Sequence, residues 1–159
     1  MRFYTLLYGA ALVLLGLGWC AAAHAQPRSY RFEQIEALQK VEKRKVLIFF
    51  HADWCRYCAI MQNTTFKNDS VVQLLNKKFY FIDFDGESTD SVAFNGHIFR
   101  YKPTGVGTGI HELAEQLATV KGKVAYPTLC FLNAENEIEY QQNSFLTASE
   151  LLAMLKSLR

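Results

Sequence analysis

Cysteine is scarce: the chain has four in 159 residues, too few for a fold built on disulfides. An excess of one charge is lacking as well. Seventeen Lys and Arg stand against 15 Asp and Glu, a formal net charge of +2. No basic stripe gathers the cations, so the electrostatic footprint of a nucleic-acid binder is missing. There is no internal repeat and no linker-like stretch. After the first 25 residues no apolar run is long enough to read as a membrane span. What is present is a globular composition. Half of the residues are hydrophobic, 14% aromatic and 20% charged, which excludes long disorder and collagen-like repeats. The length reads as one domain with room for a core.

Residues 1–25 carry the pattern of an export signal. Arg2 opens it, an apolar run extends from Leu6 to Gly18, and Ala23-His24-Ala25 forms a small-x-small cleavage site ahead of Gln26. The run is short against the roughly 20 residues of a span, so cleavage is expected rather than an uncleaved anchor. Trp19 is too bulky for Cys20 to serve as a lipoprotein-type site. The expected mature domain, 26–159, is soluble outside the cytoplasm and keeps Cys55, Cys58 and Cys130. An odd cysteine count in an exported chain asks for an explanation.

Along that domain the apolar period alternates between helix and strand. Phe32, Ile35, Leu38 and Val41 predict an amphipathic helix over 31–44. Val46 to Phe50 is a continuous apolar run, the signature of a strand covered on both faces. A helix is expected from near Cys55 past Met61. Asp69 is read as the cap of another, with Val72, Leu75 and Phe79 on its inner side. Phe79 to Asp85 reads as a second strand. Asn95-Gly96 predicts a hairpin between 92–94 and 97–99. Pro103 to Gly109 reads as a Gly-rich loop. Thr108 is read as the cap of a helix carrying Ile110, Leu113, Leu117 and Val120, with His111 and Glu115 an exposed pair on it. Thr128 to Leu132 predicts a strand, Asn133 to Asn136 a turn, and 137–142 a paired strand. Thr147 and Glu150 form a capping box, with Leu146 and Leu151 as its staple, ahead of a last helix with Met154, Leu155 and Leu158. The order implies an α/β fold around a mixed sheet.

Trp54-Cys55-Arg56-Tyr57-Cys58 carries the chemistry. After a buried strand and at the start of a helix, the first thiol meets free N–H groups and the positive end of the helix dipole. Its pKa falls and it becomes the nucleophile. Arg56 adds a nearby cation that tunes the same pKa. Cys58, one turn inside, resolves the mixed disulfide. Zinc wants four ligands, and only Cys130 with the scattered His51, His97 and His111 remain, so no metal is expected. A purely structural disulfide over so short a loop would add little stability. Cys130, inside an apolar strand, reads as a buried small hydrophobe.

The segment His51-Ala52-Asp53-Trp54-Cys55-Arg56-Tyr57-Cys58 resembles the active-site stretch of the thioredoxin superfamily. Met61, Thr65 to Asp69, Val72, Leu75-Asn76, Phe79 and Asp83 to Asp85 resemble its exported branch, which includes the C-terminal domain of the membrane reductase DsbD. The resemblance covers about residues 31–158 except an insertion near 88–124. It implies a thioredoxin-like fold, a central mixed sheet flanked by helices, with the insertion before a cis-proline. Tyr126-Pro127-Thr128 matches the cis-proline segment. By that resemblance Pro127 lies beside the CxxC and pairs with substrate backbone, while Trp54, Tyr126 and Thr128 contribute to substrate binding. Two departures stand out. The family's buried Asp, six positions before the first Cys, is Phe49 here, and the Lys that commonly faces it is Phe81. His51 is the nearest titratable candidate for their proton role, although a packing role at the strand end is the plainer expectation.

The reading is an exported, periplasmic thiol–disulfide oxidoreductase that reduces protein disulfides. It needs no cofactor, acts as a monomer, binds no nucleic acid, and is recharged by a membrane or exported electron donor. The alternative is a non-catalytic protein-binding module in which the insertion carries the function.

Overall fold

The computed structural model describes residues 26–158, so the expected export signal and Cys20 lie outside the described residues. Helix α1 spans Phe32–Val41, strand β1 Lys45–His51, α2 Arg56–Asn63, a 3-10 turn Thr65–Lys67, α3 Asp69–Lys78 and β2 Phe79–Asp85. Strand β9 covers Thr128–Leu132, β10 Ile138–Gln142 and helix α5 Ala148–Ser157. The sheet order is β10-β9-β1-β2. Strands β1 and β2 run parallel, β9 antiparallel to β1, and β10 antiparallel to β9 with a bulge between Ile138 and Tyr140.

β1 lies in the middle and is buried along nearly all its length. Successive side chains of a strand point to opposite faces, and β1 divides the core accordingly. Leu47 and Phe49 enter one face with Met61, Phe66, Leu75, Phe81, Leu151 and Leu155, under α2, α3 and α5. Val46, Ile48 and Phe50 enter the other with Phe32, Ile35, Tyr80 and Cys130. The edge of β2 is strapped by residues 29–30. Ser29 bridges Phe81, and the Tyr30 N–H donates to the Phe81 carbonyl at 2.8 Å.

Between β2 and β9 the chain forms three two-stranded ribbons and a short helix. These are β3 (Val92–Phe94) with β4 (His97–Phe99), β5 (Tyr101–Gly105) with β6 (Thr108–His111), α4 (Glu112–Leu117), and β7 (Thr119–Val120) with β8 (Lys123–Val124). The Asn95-Gly96 hairpin forms as expected, both residues having positive φ, 51° and 73°.

Four sequence expectations need correction. Residues 103–109 form the β5–β6 ribbon, not a loop; Gly107 supplies the turn with φ 68°. Pro103 is tolerated because each strand of a two-stranded ribbon is an edge. The cap of α4 is His111, not Thr108; Ile110 belongs to β6 and Val120 to β7. His111 is fully buried and forms no exposed pair with Glu115, whose partner is Lys102. Helix α3 is capped by Asn68, whose Oδ1 accepts from the Ser70 and Val71 N–H groups, while Asp69 is its first residue. The staple and box at Thr147 are present, with Leu146 and Leu151 both buried.

The insertion is also more than an addition at the surface. Val92, Phe94, Leu113, Ala114 and Ala118 are buried against Phe32, Ile48, Phe50 and Cys130. It therefore walls the second face of the sheet together with α1.

Candidate active site

Cys55 occupies the N-cap of α2. Its extended backbone ends the loop that follows β1, and its Sγ accepts the Cys58 N–H at 3.2 Å. The sulfur thus takes the place of the oxygen that usually caps a helix. Cys55 and Cys58 are joined as a disulfide, and both are nearly buried. Arg56, the first residue of α2, is exposed. Around the pair the surface is aromatic. Trp54 and Tyr57 remain 69% and 61% exposed, and Tyr57 leans on Phe145.

Tyr126 and Pro127 come to the same end of the sheet. The peptide bond between them is cis. The Tyr126 ring meets Trp54 edge-on at 5.9 Å. Its buried hydroxyl has no hydrogen-bond partner among the described residues. Burial, with the nearby charges of Glu87 and Asp85, pushes the phenol well above its ordinary pKa. Thr128 is fully buried. Its hydroxyl donates to the Ala125 carbonyl at 2.7 Å and accepts from Asn143 at 2.9 Å. Its side chain braces the turn from within, behind the surface of the site.

Three residues that sequence reasoning missed shape this corner. Glu87 accepts the Trp54 indole N–H at 2.9 Å. Gly86 provides the space for Tyr126: a Cβ there would lie 2.1 Å from the phenol oxygen. Asn143 donates to both the Pro127 carbonyl and the Thr128 hydroxyl, each at 2.9 Å. The glycine directly after an apolar strand is the one local signal; nothing near Glu87 or Asn143 announces a long-range partner.

Beneath α2 the core is aromatic. Phe49 and Phe81 are buried and joined through Phe66, at ring centroid distances of 4.8 and 5.0 Å. His51 stacks on Phe49 and its Nε2 lies 3.1 Å from Asp83 Oδ1. Burial pushes the imidazole pKa down, but the Asp83 hydrogen bond and the charges of Asp83, Asp85 and Asp53 outweigh it, leaving a net rise. Cys130 is a buried free thiol whose pKa burial pushes up to about 12, as suits an inert hydrophobe. No cluster of metal-binding side chains occurs among the described residues, and no described helix is long and apolar enough to cross a membrane.

Solved structures share the fold. A candidate disulphide-isomerase from Bacteroides thetaiotaomicron is 26% identical, with a TM-score of 0.58 over 86% of this chain and 94% of its own. A thioredoxin from Thermus thermophilus is 21% identical, with a TM-score of 0.60 over 84% and 88%. The reduced DsbD C-terminal domain of Neisseria meningitidis is 19% identical, with a TM-score of 0.52 over 80% and 92%. A sequence comparison with curated proteins returned no match. The family model of the thioredoxin-like domain matches residues 32–159, and the chain belongs to that family.

Proposed function

We propose that the protein is an exported thiol–disulfide oxidoreductase that reduces protein disulfides. The observation that carries this reading is the Cys55–Cys58 pair at the start of α2, with Cys55 Sγ accepting a helix N–H. In the reduced state that N–H and the helix dipole favour the Cys55 thiolate, and Arg56 adds a cation one residue away. The thiolate attacks one sulfur of a substrate disulfide, forming a Cys55–substrate bond as the substrate S–S bond breaks. The other substrate sulfur leaves with that bond's electron pair. Cys58 then loses its proton and attacks Cys55 Sγ, and the substrate sulfur that was bound to Cys55 leaves with the second electron pair. Two electrons pass from the dithiol to the substrate, and an electron-donating dithiol on a membrane or exported partner restores the enzyme.

Trp54, Tyr126 and cis-Pro127 form the surface against which the substrate lies, with Thr128 behind it. The reducing direction and the periplasmic setting are supported by likeness to the DsbD domain and by the leader-like residues 1–25.

Trapping tests the assignment. Cys58→Ser should hold long-lived mixed disulfides through Cys55, and Cys55→Ser far fewer. Equal trapping by both would reverse or void the roles. A pair that stays oxidised under strong reductant would instead favour a binding module. The reduction potential of the pair decides the direction, since reductants and oxidants of this kind differ by on the order of 100 mV.

A further inference from the structure

The resolving step needs a place for a proton. Cys58 is almost fully buried, and a neutral thiol there is a poor nucleophile until it ionises. The core it touches, with Phe49, Met61, Phe66 and Phe81, is apolar. Strand alternation places Lys45 and His51 of β1 and Asp83 and Asp85 of β2 on this face of the sheet, and of these His51 and Asp83 are tied to each other and to the helix that carries Cys58. His51 follows Phe49 by two residues on β1, so both side chains leave the same face, and the imidazole stacks on the Phe49 ring at 5.7 Å.

Helix α2 closes the arrangement from above. Cys58 and Gln62 are four residues apart on α2 and therefore neighbours on one helix face. The Gln62 amide donates to both Asp83 carboxylate oxygens at 3.4 Å, and Asp83 Oδ1 lies 3.1 Å from His51 Nε2. The dyad thus sits at the lower turn of the helix that carries Cys58. On its outer side Asp83, Gln62, Phe66, Phe81 and Lys67 line an open cavity of about 310 Å³, which joins Asp83 to solvent.

We infer that His51, oriented by Asp83, is the proton acceptor for the Cys58 thiol. This rests on the oxidoreductase reading above. Asp83 accepts from Nε2–H, which fixes the tautomer and leaves the lone pair on Nδ1. As Cys58 Sγ bonds to Cys55 Sγ, the S–H proton passes to His51, and the bond from Cys55 to substrate breaks. The imidazolium so formed is stabilised by Asp83 and releases its proton through the cavity. In the reverse step, when a donor dithiol opens the disulfide, the same imidazolium protonates the departing Cys58 sulfur. The charges that face His51 are Asp83 and Asp85 on β2 and Asp53 after β1; α2 offers only the neutral Gln62. All three favour an imidazolium and together outweigh the burial of the ring, so the dyad accepts a proton more readily than a free imidazole does.

Stopped-flow reaction of the reduced protein with a small aromatic disulfide tests this. The first thiol released reports attack by Cys55, and the second reports closure by Cys58. In the wild type the closure rate should rise with pH through an inflection that precedes the thiol range of about 8.5. His51→Gln should lower the ratio of second to first rate at pH 7 by about tenfold or more and move the rise into the thiol range. Asp83→Asn, at a half-exposed position, keeps the imidazole and should move the inflection to lower pH with a smaller loss. A closure rate in His51→Gln equal to wild type at every pH, or reduced by one constant factor throughout, overturns the inference. Absence of any first release in the wild type would instead defeat the oxidoreductase reading and this inference with it.

Discussion

The Trp54 indole N–H donates to Glu87 Oε1 at 2.9 Å, joining the residue before the CxxC to the first turn after β2. The indole is otherwise largely exposed, so the bond orients it more than it stabilises the fold. Glu87→Ala should change stability by no more than about 0.5 kcal/mol. It should alter Trp54 fluorescence and slow reaction with protein disulfides more than with small ones. Equal slowing of both would show that Glu87 does not act through recognition.

The Cys55 thiol should titrate below the free value of about 8.5. The Cys58 N–H that meets Cys55 Sγ in the disulfide remains available to a thiolate. Alkylation rate against pH reads the value directly. A pKa at or above the free value would remove the electrostatic account of activation.

Gly86→Ala should displace Tyr126, because the added methyl would collide with the phenol ring. Overpacking of this kind costs about 1–3 kcal/mol. Chemical denaturation measures the loss, and Gly86→Ala with Tyr126→Phe should recover part of it by removing the oxygen that is met first.

Stability should fall in acid through His111. Its Nδ1 accepts the Leu113 N–H at 3.1 Å, and Nε2 lies 3.0 Å from the Asp90 carbonyl, which requires a neutral ring carrying its proton on Nε2. Burial lowers the pKa, only partly offset by the Asp90 carbonyl and the charges of Glu112 and Asp90. A lowered folded pKa means full stability above the ordinary His value of about 6.5, lost as pH falls through the folded pKa, at about 1.4 kcal/mol per unit of separation. His51 has a raised pKa and works in the opposite direction, its contribution present below about 6.5 and lost as pH rises through its folded value. Subtracting the pH profile of His111→Asn, which keeps a capping acceptor, isolates the acid-labile part. An unchanged profile in that variant would refute the assignment.

Deleting 90–122 should unfold the protein rather than leave a trimmed enzyme. The segment contributes Val92, Phe94, Leu113 and Ala114 to the core, and removing buried side chains of this size costs about 2–5 kcal/mol for each large one. Shortening only the β5–β6 tip around the fully exposed Val106 should keep the melting temperature within a few degrees. Substrate preference measured on that shortened form then tests recognition by the ribbon alone.

Where local chemistry decided the outcome, the sequence was legible. Asn95-Gly96, the Thr147–Glu150 box and the run Val46 to Phe50 each carry their cause within a few residues. The placement of Cys55 and Cys58 together at the start of a helix was legible for the same reason, and the cis Tyr126-Pro127 bond through likeness to a known segment. The reading failed where partners are distant. His111 is polar and stands in a helix-like pattern, yet it is buried because Gly86 and Asp90, more than 20 positions away, satisfy it. Gly105, Gly107 and Gly109 looked like loop because the pairing of 101–105 with 108–111 has little apolar alternation to announce it. Asn143 holds the Pro127 turn from 16 residues away, beyond any local pattern.

The two rims of the main sheet are guarded in different ways. On one side Ser29 and Tyr30 occupy part of the hydrogen-bonding rim of β2. On the other, β10 is broken by a bulge, and Glu139 is tied to Lys45 at 2.7 Å. Unguarded rims invite neighbouring chains to add strands, and here neither is flat and free. Growth of the sheet from molecule to molecule, or by capture of a foreign strand, is therefore disfavoured at both rims.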